Sequence, residues 1–244
     1  QTCALPICFG GPFDFLTQKC MRSFHAEGWE GLALSERMTE MLGVPVVSDN
    51  DANVAALGEY RQECGTSRRD PLLYVTLSTG VGAGIVVRGQ LIRGANSLAG
   101  EIGHLRIGGA KVCNCGLTGC LERMSSGYWF ALDHGMPASH VLIDEDLHRQ
   151  WISNLASGLW STCMVLDPAI IVIGGGMSTQ GSRLLEPLRA EFVRLTSITN
   201  RPSPSLRLGD TSGRTVLLGA AKMAEEEEDQ PWCLSYESDR KSTR

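Results

Sequence analysis

Apolar positions in the first part of the chain switch between helical and strand-like spacing. Residues 32–42 place apolar side chains three or four positions apart, and Gly43 ends the predicted helix. Residues 44–47 predict a short buried strand, and the polar residues 48–51 predict a loop after it. Residues 52–60 are rich in alanine and predict a second helix.

The middle of the chain has the pattern of antiparallel strands. Residues 72–77 form a β-prone run, and the glycine-rich residues 78–84 predict a turn. The apolar residues 85–87 resume as a strand, and a polar turn leads to a further strand at residues 91–92. This order predicts a β-meander that opens a second domain.

The last third returns to alternating helices and strands. Residues 147–166 have helical periodicity, residues 169–173 predict a buried strand, and glycines 174–176 end it. Helices are predicted over residues 184–195 and 216–223, and the acidic run that follows is expected to be solvated. Because strands alternate with helices along the chain, the predicted fold class is α/β.

Composition narrows the range of functions. The chain has 244 residues, of which 43% are hydrophobic and 20% charged, so it can form one large domain or two modest ones. Its net charge of −5 argues against general affinity for nucleic acid or anionic membrane. The best apolar candidate for a membrane span, residues 155–176, is broken by Asp167 and Pro168. With no export signal visible, we expect a cytoplasmic location.

One histidine and three clustered cysteines have the spacing of a metal site. His104, Cys113, Cys115 and Cys120 supply the Cys₃His set that Zn²⁺ binds in closed, structural sites. Glycines at positions 108, 109, 116 and 119 allow a short loop to fold back around the ion. The alternative is a disulfide pair with one free thiol. The remaining cysteines are scattered and are expected to be reduced thiols.

Two glycine-rich segments are candidate phosphate-binding loops. Residues 77–84 join two predicted strands, and backbone N–H groups in such a turn can bind phosphate. Residues 171–176 lead from a strand to a predicted helix start, where a nucleotide could bind. Either segment could also be a plain structural turn.

The polar residues 49–53 follow a buried strand and precede a helix. Asp and Asn are common there because they cap the helix N-terminus. A second interpretation is that one carboxylate accepts the proton of a substrate hydroxyl during phosphoryl transfer. Both roles can coexist if one residue caps the helix and another points outward.

Together these motifs resemble the ROK family of sugar kinases and sugar-responsive repressors. The similarity extends from about Gly11 to Met223, and the motifs come in the family's order. The matching stretches are residues 49–53, 77–84, 94–104, 113–122 and 171–176.

The resemblance implies an actin-like, ribonuclease-H-like α/β fold of two domains with a cleft between them. Residues 1–68 would be an incomplete N-terminal domain that carries the catalytic aspartate, and residues 69–224 the C-terminal domain with the zinc and nucleotide loops. Residues 225–244 would form an acidic tail. Residues 1–7 and 239–244 can be encoded by a sequencing adapter read on opposite strands, so we expect these ends to be foreign.

The resemblance also implies an activity and its residues. It implies ATP-dependent phosphorylation of a hexose, glucose or a close relative, at the 6-hydroxyl, with Mg²⁺ accompanying ATP. It further implies a homodimer, and no nucleic-acid partner for this fragment. The residues so assigned are Asp51 as general base; Asn50, Glu101, His104 and Glu122 as sugar contacts; Thr79, Gly80 and Gly82 as the phosphate turn; and Gly174, Gly175 and Gly176 on the adenosine side.

His104 would serve both sites, with one ring nitrogen on zinc and the other facing the sugar. Glu101 and Glu122 could instead be solvated surface acids. Because they lie close in sequence to the predicted zinc ligands, the sugar role is favoured.

Some positions depart from the family pattern. The family's Asp-x-Gly-x-Thr motif is absent, Ser97 stands where many members have Gly, and His25 lies near a position that is often Asn. Two alternative functions stay open: the sugar-binding effector domain of a repressor, and a zinc-bearing structural module with no sugar site.

Overall fold

The computed structural model describes residues 4–22, 27–62, 70–142 and 144–229. His25 lies outside these ranges. The described strands are β1 (Leu5–Phe9), β2 (Phe13–Asp14), β3 (Lys19–Cys20), β4 (Val46–Asn50), β5 (Leu72–Leu77), β6 (Val81–Val87), β7 (Gln90–Leu91), β8 (Ile170–Gly174) and β9 (Ser205–Leu208). The described α-helices are α1 (Leu34–Leu42), α2 (Asp51–Gln62), α3 (Leu121–Ser125), α4 (Gly127–His134), α5 (Glu145–Leu166), α6 (Ser182–Thr199) and α7 (Arg214–Asp229).

A five-stranded mixed sheet forms the centre of the fold, in the order β7-β6-β5-β8-β9. β6 is antiparallel to both β5 and β7, as the predicted meander requires. β5, β8 and β9 run parallel, and their connections pass through helices, as parallel pairing demands. The predicted α/β class is confirmed.

Helices cover both faces of this sheet because its central strands are apolar on both sides. On β5, Leu73 and Val75 face a core that includes α5 and α6. Leu72 and Tyr74 face the opposite core, which includes α2 and the middle of α7. Successive strand residues point to opposite faces, so one continuous apolar run serves two layers.

Two glycines allow α2 and α7 to cross with their backbones in contact. A methyl group added at Gly58 would collide with the carbonyl oxygen of Thr215, and one added at Gly219 would collide with the carbonyl oxygen of Val54. Since the collisions would be with backbone atoms, neither helix can move a side chain aside to make room. The start of α2, where the candidate base lies, is therefore held by close helix packing.

The N-terminal strands form a second, smaller layer. β1 pairs in parallel with β4, from Leu5 opposite Val46 to Phe9 opposite Asn50. The β2–β3 hairpin and α1 close a small core beside it, formed by Phe9, Phe13, Cys20 and Leu34. Residues 5–7, which we expected to be foreign, thus take part in the pairing with β4.

Three predicted boundaries were wrong. Residues 48–50 are not a loop: they continue β4, because pairing with β1 extends the strand to the residue directly before α2. Residues 81–84 are strand β6, since they are paired with β5 despite two glycines. The acidic run at 225–228 is not a separate tail but lies within α7. The expected division into domains at residues 68 and 69 stays a prediction.

The boundaries of α5 follow standard capping chemistry. The side chain of Asp144 accepts hydrogen bonds from the backbone N–H groups of Asp146 and Leu147, both at 2.9 Å. The helix ends at Asp167, which has a left-handed backbone, directly before Pro168.

Among the described residues, no helix has the length and apolar character that a membrane span requires.

Candidate active site

A cavity of about 310 Å³ lies at the start of α2, between the loop after β1 and the β5–β6 turn. Residues from distant parts of the chain meet there. Of the predicted site residues, those that line the cavity are Asn50, Asp51, Thr79, Gly80, Gly82, Glu101, His104, Glu122 and Gly175. Gly174, Gly176 and the three predicted cysteine ligands do not line it.

Asn50 caps α2 at the edge of this cavity. Its Oδ1 accepts hydrogen bonds from the backbone N–H groups of Ala52 at 2.9 Å and Asn53 at 3.3 Å. Its Nδ2 donates to the carbonyl oxygen of Gly11 at 2.8 Å, which ties the loop after β1 to the same junction. The capping role that the sequence left open for residues 49–53 therefore belongs to Asn50.

Asp49 is buried behind the cavity, with 1% of its side chain exposed. Its Oδ2 accepts a hydrogen bond from Nε of Arg93 at 2.8 Å, and its Oδ1 accepts one from Nδ2 of Asn53 at 2.9 Å. Both oxygens are engaged and out of reach of a substrate. Of the two aspartates in the motif, Asp51 is the one that opens into the cavity.

The environment of Asp51 makes its carboxyl a stronger base than a free aspartate. Asp51 is exposed to the cavity, but the surrounding walls remove part of its hydration, and this desolvation raises the pKa of Asp51. Hydrogen bonds from backbone N–H groups, including that of Ala52 at 2.8 Å, partly oppose the rise. Together with burial, which is the larger cause, the charge of Asp51 raises the pKa of the neighbouring Cys8 thiol to about 11. Gly10, without a side chain, leaves the space beside Asp51 Oδ2 open.

Glu122 connects the start of α3 to the β5–β6 turn. Its Oε2 accepts a hydrogen bond from the backbone N–H of Val81 at 3.0 Å. Within the turn, the N–H of Ser78 donates to the carbonyl oxygen of Gly80 at 3.0 Å. Glu122 is therefore a half-buried carboxylate that shapes the turn, and it also lines the cavity.

Glu101 and His104 lie one helical turn apart on a short 3-10 segment, Ile102–His104 and the residue before it. Nε2 of His104 is 3.9 Å from Oε2 of Glu101. Burial raises the pKa of Glu101 to about 7, and the charges of Glu122 and Asp51 add to the rise. The three carboxylates thus share one electrostatic environment, as expected if they face one cavity.

The other ring nitrogen of His104 faces the cysteines. His104 and the three cysteines place their ligand atoms within 4.8 Å of one another. Nδ1 of His104 lies 3.9 Å from Sγ of Cys113, and Sγ of Cys115 lies 3.6 Å from Sγ of Cys120. Two thiolates on one tetrahedral Zn²⁺ are about 3.8 Å apart, so the donor set fits zinc. All three cysteines are free thiols, which does not agree with the disulfide alternative.

Gly175 is the one member of the glycine run at 174–176 that borders the cavity. Its φ is +82°, and a methyl group there would lie 2.6 Å from the carbonyl oxygen of Leu77. Gly175 therefore has a structural reason to be glycine, since it lets the end of β8 approach the end of β5. An adenosine contact at these glycines stays a prediction.

Arg93 is a residue that sequence reasoning missed, and Ser97 is one that it noted only as a departure from the family pattern. Arg93, which holds Asp49, was not singled out; its place directly before the motif at 94–104 was the available signal. Ser97 has φ +55°, a conformation that favours glycine, and this explains why Ser is a departure at that position. Its hydroxyl accepts a hydrogen bond from the N–H of Phe15 at 3.1 Å.

The comparisons with known proteins agree on one class of fold and one family. A solved structure of a ROK family glucokinase from Streptomyces griseus, in complex with glucose and AMPPNP, has a TM-score of 0.79 and 29% identity. The match covers 91% of this chain and 81% of the glucokinase chain. The fold is thus that of the actin-like ATPases. The ROK family model matches residues 1–227, and the chain belongs to the ROK family.

Relatives within the family include both enzymes and regulators. A glucokinase of Halalkalibacterium halodurans is 36% identical over 196 residues, which are 68% of this chain and 59% of that protein. A xylose repressor of Caldicellulosiruptor bescii is 27% identical over 224 residues, which are 80% of this chain and 56% of that protein. The chain therefore spans less than two thirds of the length of these two relatives.

Proposed function

We propose that this chain carries the cleft of an ATP-dependent hexose kinase, which phosphorylates glucose or a close relative at the 6-hydroxyl. The observation that supports this most is the position of Asp51, which opens into the same cavity as Glu101, His104 and the β5–β6 turn. The similarity to glucokinases, one of them solved with glucose and an ATP analogue, supports the substrate class.

Asp51 would act as the general base. As the 6-hydroxyl oxygen bonds to the γ-phosphorus of ATP, its proton moves to the Asp51 carboxylate and ADP leaves with the bridging oxygen. The raised pKa of Asp51 suits this role because it brings the carboxylate's proton affinity closer to the working pH. Asp49, buried and paired with Arg93, could not replace it.

The sugar would be held by the polar groups around this base. Glu101 and Glu122 supply carboxylate oxygens that accept hydrogen bonds from sugar hydroxyls, and the Nε2 side of His104 faces the same region. Asn50 donates one amide hydrogen to the carbonyl oxygen of Gly11, and its second amide hydrogen would donate to a sugar hydroxyl. Such a site would favour molecules that carry the hydroxyls, because its half-buried polar groups would otherwise lose these hydrogen bonds.

ATP would place its phosphates at the β5–β6 turn, which includes Thr79 and Gly80 at the cavity wall. Backbone N–H groups of a tight turn suit phosphate oxygens. Mg²⁺ bound with ATP would neutralise charge on the transferring phosphoryl group. The carboxylate of Glu122, which lies beside this turn, is an oxygen donor of the kind that Mg²⁺ prefers, so the cavity fits this ion.

We also propose that Zn²⁺ binds to His104, Cys113, Cys115 and Cys120 as a structural ion. Four protein ligands leave no open position for substrate, so the metal would stabilise the fold and take no part in the reaction. Its effect on the sugar site would be indirect: holding Nδ1 of His104 keeps Nε2 directed at Glu101.

Elemental analysis of protein purified without chelator should find about one zinc per chain. Replacing Cys115 by Ser should lower the zinc content and the melting temperature, since it removes one of four ligands. Replacing the free thiol Cys163, which lies on α5 away from the cluster, controls for the loss of a cysteine. Equal zinc content in the wild type, the Cys115 variant and the Cys163 variant would refute the proposed zinc site.

The second candidate function is the sugar-binding effector domain of a repressor, which the similarity to a xylose repressor favours. It predicts hexose binding without phosphoryl transfer. Both candidate functions therefore predict hexose binding, but only the kinase predicts phosphoryl transfer.

The family resemblance predicts a homodimer, and the sequence predicts a cytoplasmic location. Both stay predictions. Light scattering at several protein concentrations tests the first of them.

The kinase proposal is tested by comparing glucose with 6-deoxyglucose as acceptors in the presence of Mg²⁺ and ATP. We expect ADP formation with glucose and none with 6-deoxyglucose, which lacks the attacking oxygen but should still compete for the cavity. ADP formation that is equal with both sugars would overturn the proposed chemistry. Binding of both sugars without ADP formation would favour the repressor domain.

A further inference from the structure

Arg93 lies at the start of the loop that carries Ser97, Ala99 and Glu101 into the cavity. Its carbonyl oxygen accepts a hydrogen bond from the N–H of Ala99 at 3.0 Å, which closes the first part of the loop. At the far end, the carbonyl oxygen of Gly100 accepts a hydrogen bond from the N–H of Ala83 on β6 at 2.9 Å. We call residues 93–101 the sugar-facing loop. These hydrogen bonds hold its backbone against the central sheet.

The side chain of Arg93 leaves that part and contacts the N-terminal layer. Its Nε donates to Asp49 Oδ2 at 2.8 Å, two residues before the proposed base. The centre of its guanidinium lies 3.6 Å from the centroid of the Phe15 ring. The Arg93 side chain is 21% exposed and that of Asp49 1%, so water screens this ion pair far less than a surface pair.

A second contact from the same loop reaches the same layer. The hydroxyl of Ser97 accepts a hydrogen bond from the N–H of Phe15 at 3.1 Å and donates one to Oδ1 of Asp14 at 3.4 Å. The sugar-facing loop therefore meets the N-terminal layer at two points, and Phe15 takes part in both of them.

We propose that Arg93 is a positioning residue that aligns the sugar-facing loop with the strand end that carries Asp51. It would act through Asp49 and would not touch the sugar. This proposal rests on the proposed function, since it names what holds the two halves of that site in register. Glu101 and Asp51 come from different layers of the fold, and the Arg93–Asp49 pair is a direct side-chain link between the segments that carry them.

The alternative is that the pair only stabilises the fold. The molecule offers a matched comparison for this: Arg207, 25% exposed, pairs with the fully buried Glu59 at 2.8 Å. Both pairs join an arginine to a buried carboxylate, but neither Arg207 nor Glu59 lines the cavity. A merely structural ion pair should behave like this one.

The test compares Arg93→Gln with Arg207→Gln in the full chain. Amide hydrogen exchange, measured without any sugar, reports on order in residues 94–101, and calorimetry reports on glucose binding. We expect Arg93→Gln to speed exchange in residues 94–101 by about tenfold and to weaken glucose binding by about tenfold. Arg207→Gln should change neither, whatever it does to the melting temperature. If a Gln variant does not fold, the Lys variant at that position is measured instead, since Lys keeps the charge without the guanidinium.

The outcomes separate the two proposals. Unchanged exchange in residues 94–101 of folded Arg93→Gln would overturn the positioning role, and so would equal effects of both variants. Failure of the wild-type chain to bind glucose would overturn the proposed function. In that case the exchange comparison still shows whether Arg93 orders the loop.

Discussion

At the scale of single residues, three consecutive polar side chains at the start of α2 have three different environments. Asn50 caps the helix, Asp49 is buried against Arg93, and Asp51 opens into the cavity. Neighbouring residues at a strand end point in different directions, so the same residue types have different surroundings. Direction and burial, not residue type, therefore make Asp51 the candidate for the proposed base.

The first prediction concerns the pH dependence of phosphoryl transfer. Burial raises the pKa of Asp51 above the usual 3.8, and the base must be ionised to accept a proton. Activity should therefore fall as the pH drops through this raised pKa, and the acidic limb of kcat at saturating glucose should lie above pH 3.8. The limb of kcat/KM also contains the titration of Glu101 in the free site, whose pKa is about 7. Circular dichroism over the same range checks that the fold persists. A limb at or below 3.8 would contradict the assignment.

Sequence could predict part of this chemistry. The spacing of His104 and the cysteines predicted a cluster whose ligand atoms the fold does bring together. The link between Asp49 and Arg93 could not be predicted, because the partners are 44 positions apart and no pattern connects them. Local spacing indicates a metal-binding loop, whereas a long-range ion pair depends on how the layers pack.

At the scale of elements, tertiary contacts decided the boundaries that sequence patterns misplaced. Glycines at 82 and 84 lower strand propensity, yet pairing with β5 keeps both of them in β6. Polar residues 48–50 resemble a loop, yet pairing with β1 keeps them in β4. The strand β5 was predicted with its observed bounds, since its apolar run is buried on both faces and needs no context to be recognised.

The second prediction concerns the crossing of α2 and α7. Replacing Gly58 by Ala should lower the free energy of unfolding by about 3 kcal/mol, because the new methyl group would collide with the backbone of Thr215. Urea denaturation measures the loss.

Replacing Gly43 by Ala is the matched control for that variant. Gly43 ends α1 with φ +68° and has open space around its Cα, so the change should cost about 1 kcal/mol from backbone strain alone. Equal losses in the two variants would mean that the crossing is not closely packed.

At the scale of the whole molecule, the candidate site exists only because separate layers meet. The N-terminal layer supplies Gly10 and Asn50, the central-sheet part supplies the β5–β6 turn and Glu101, and α3 supplies Glu122. A metal-binding loop on one side and the Arg93 ion pair on the other would hold these parts in register. The order of motifs predicted this meeting through family resemblance; composition and periodicity alone gave no more than the α/β class.

The most direct test of the account is glucose binding and turnover measured together in Asp51→Asn. The control is Asp146→Asn, which changes an exposed aspartate in the first turn of α5, outside the cavity. The account predicts that Asp51→Asn binds glucose within about threefold of wild type and loses at least about 100-fold in kcat, while Asp146→Asn keeps both. Undiminished turnover in Asp51→Asn would contradict it.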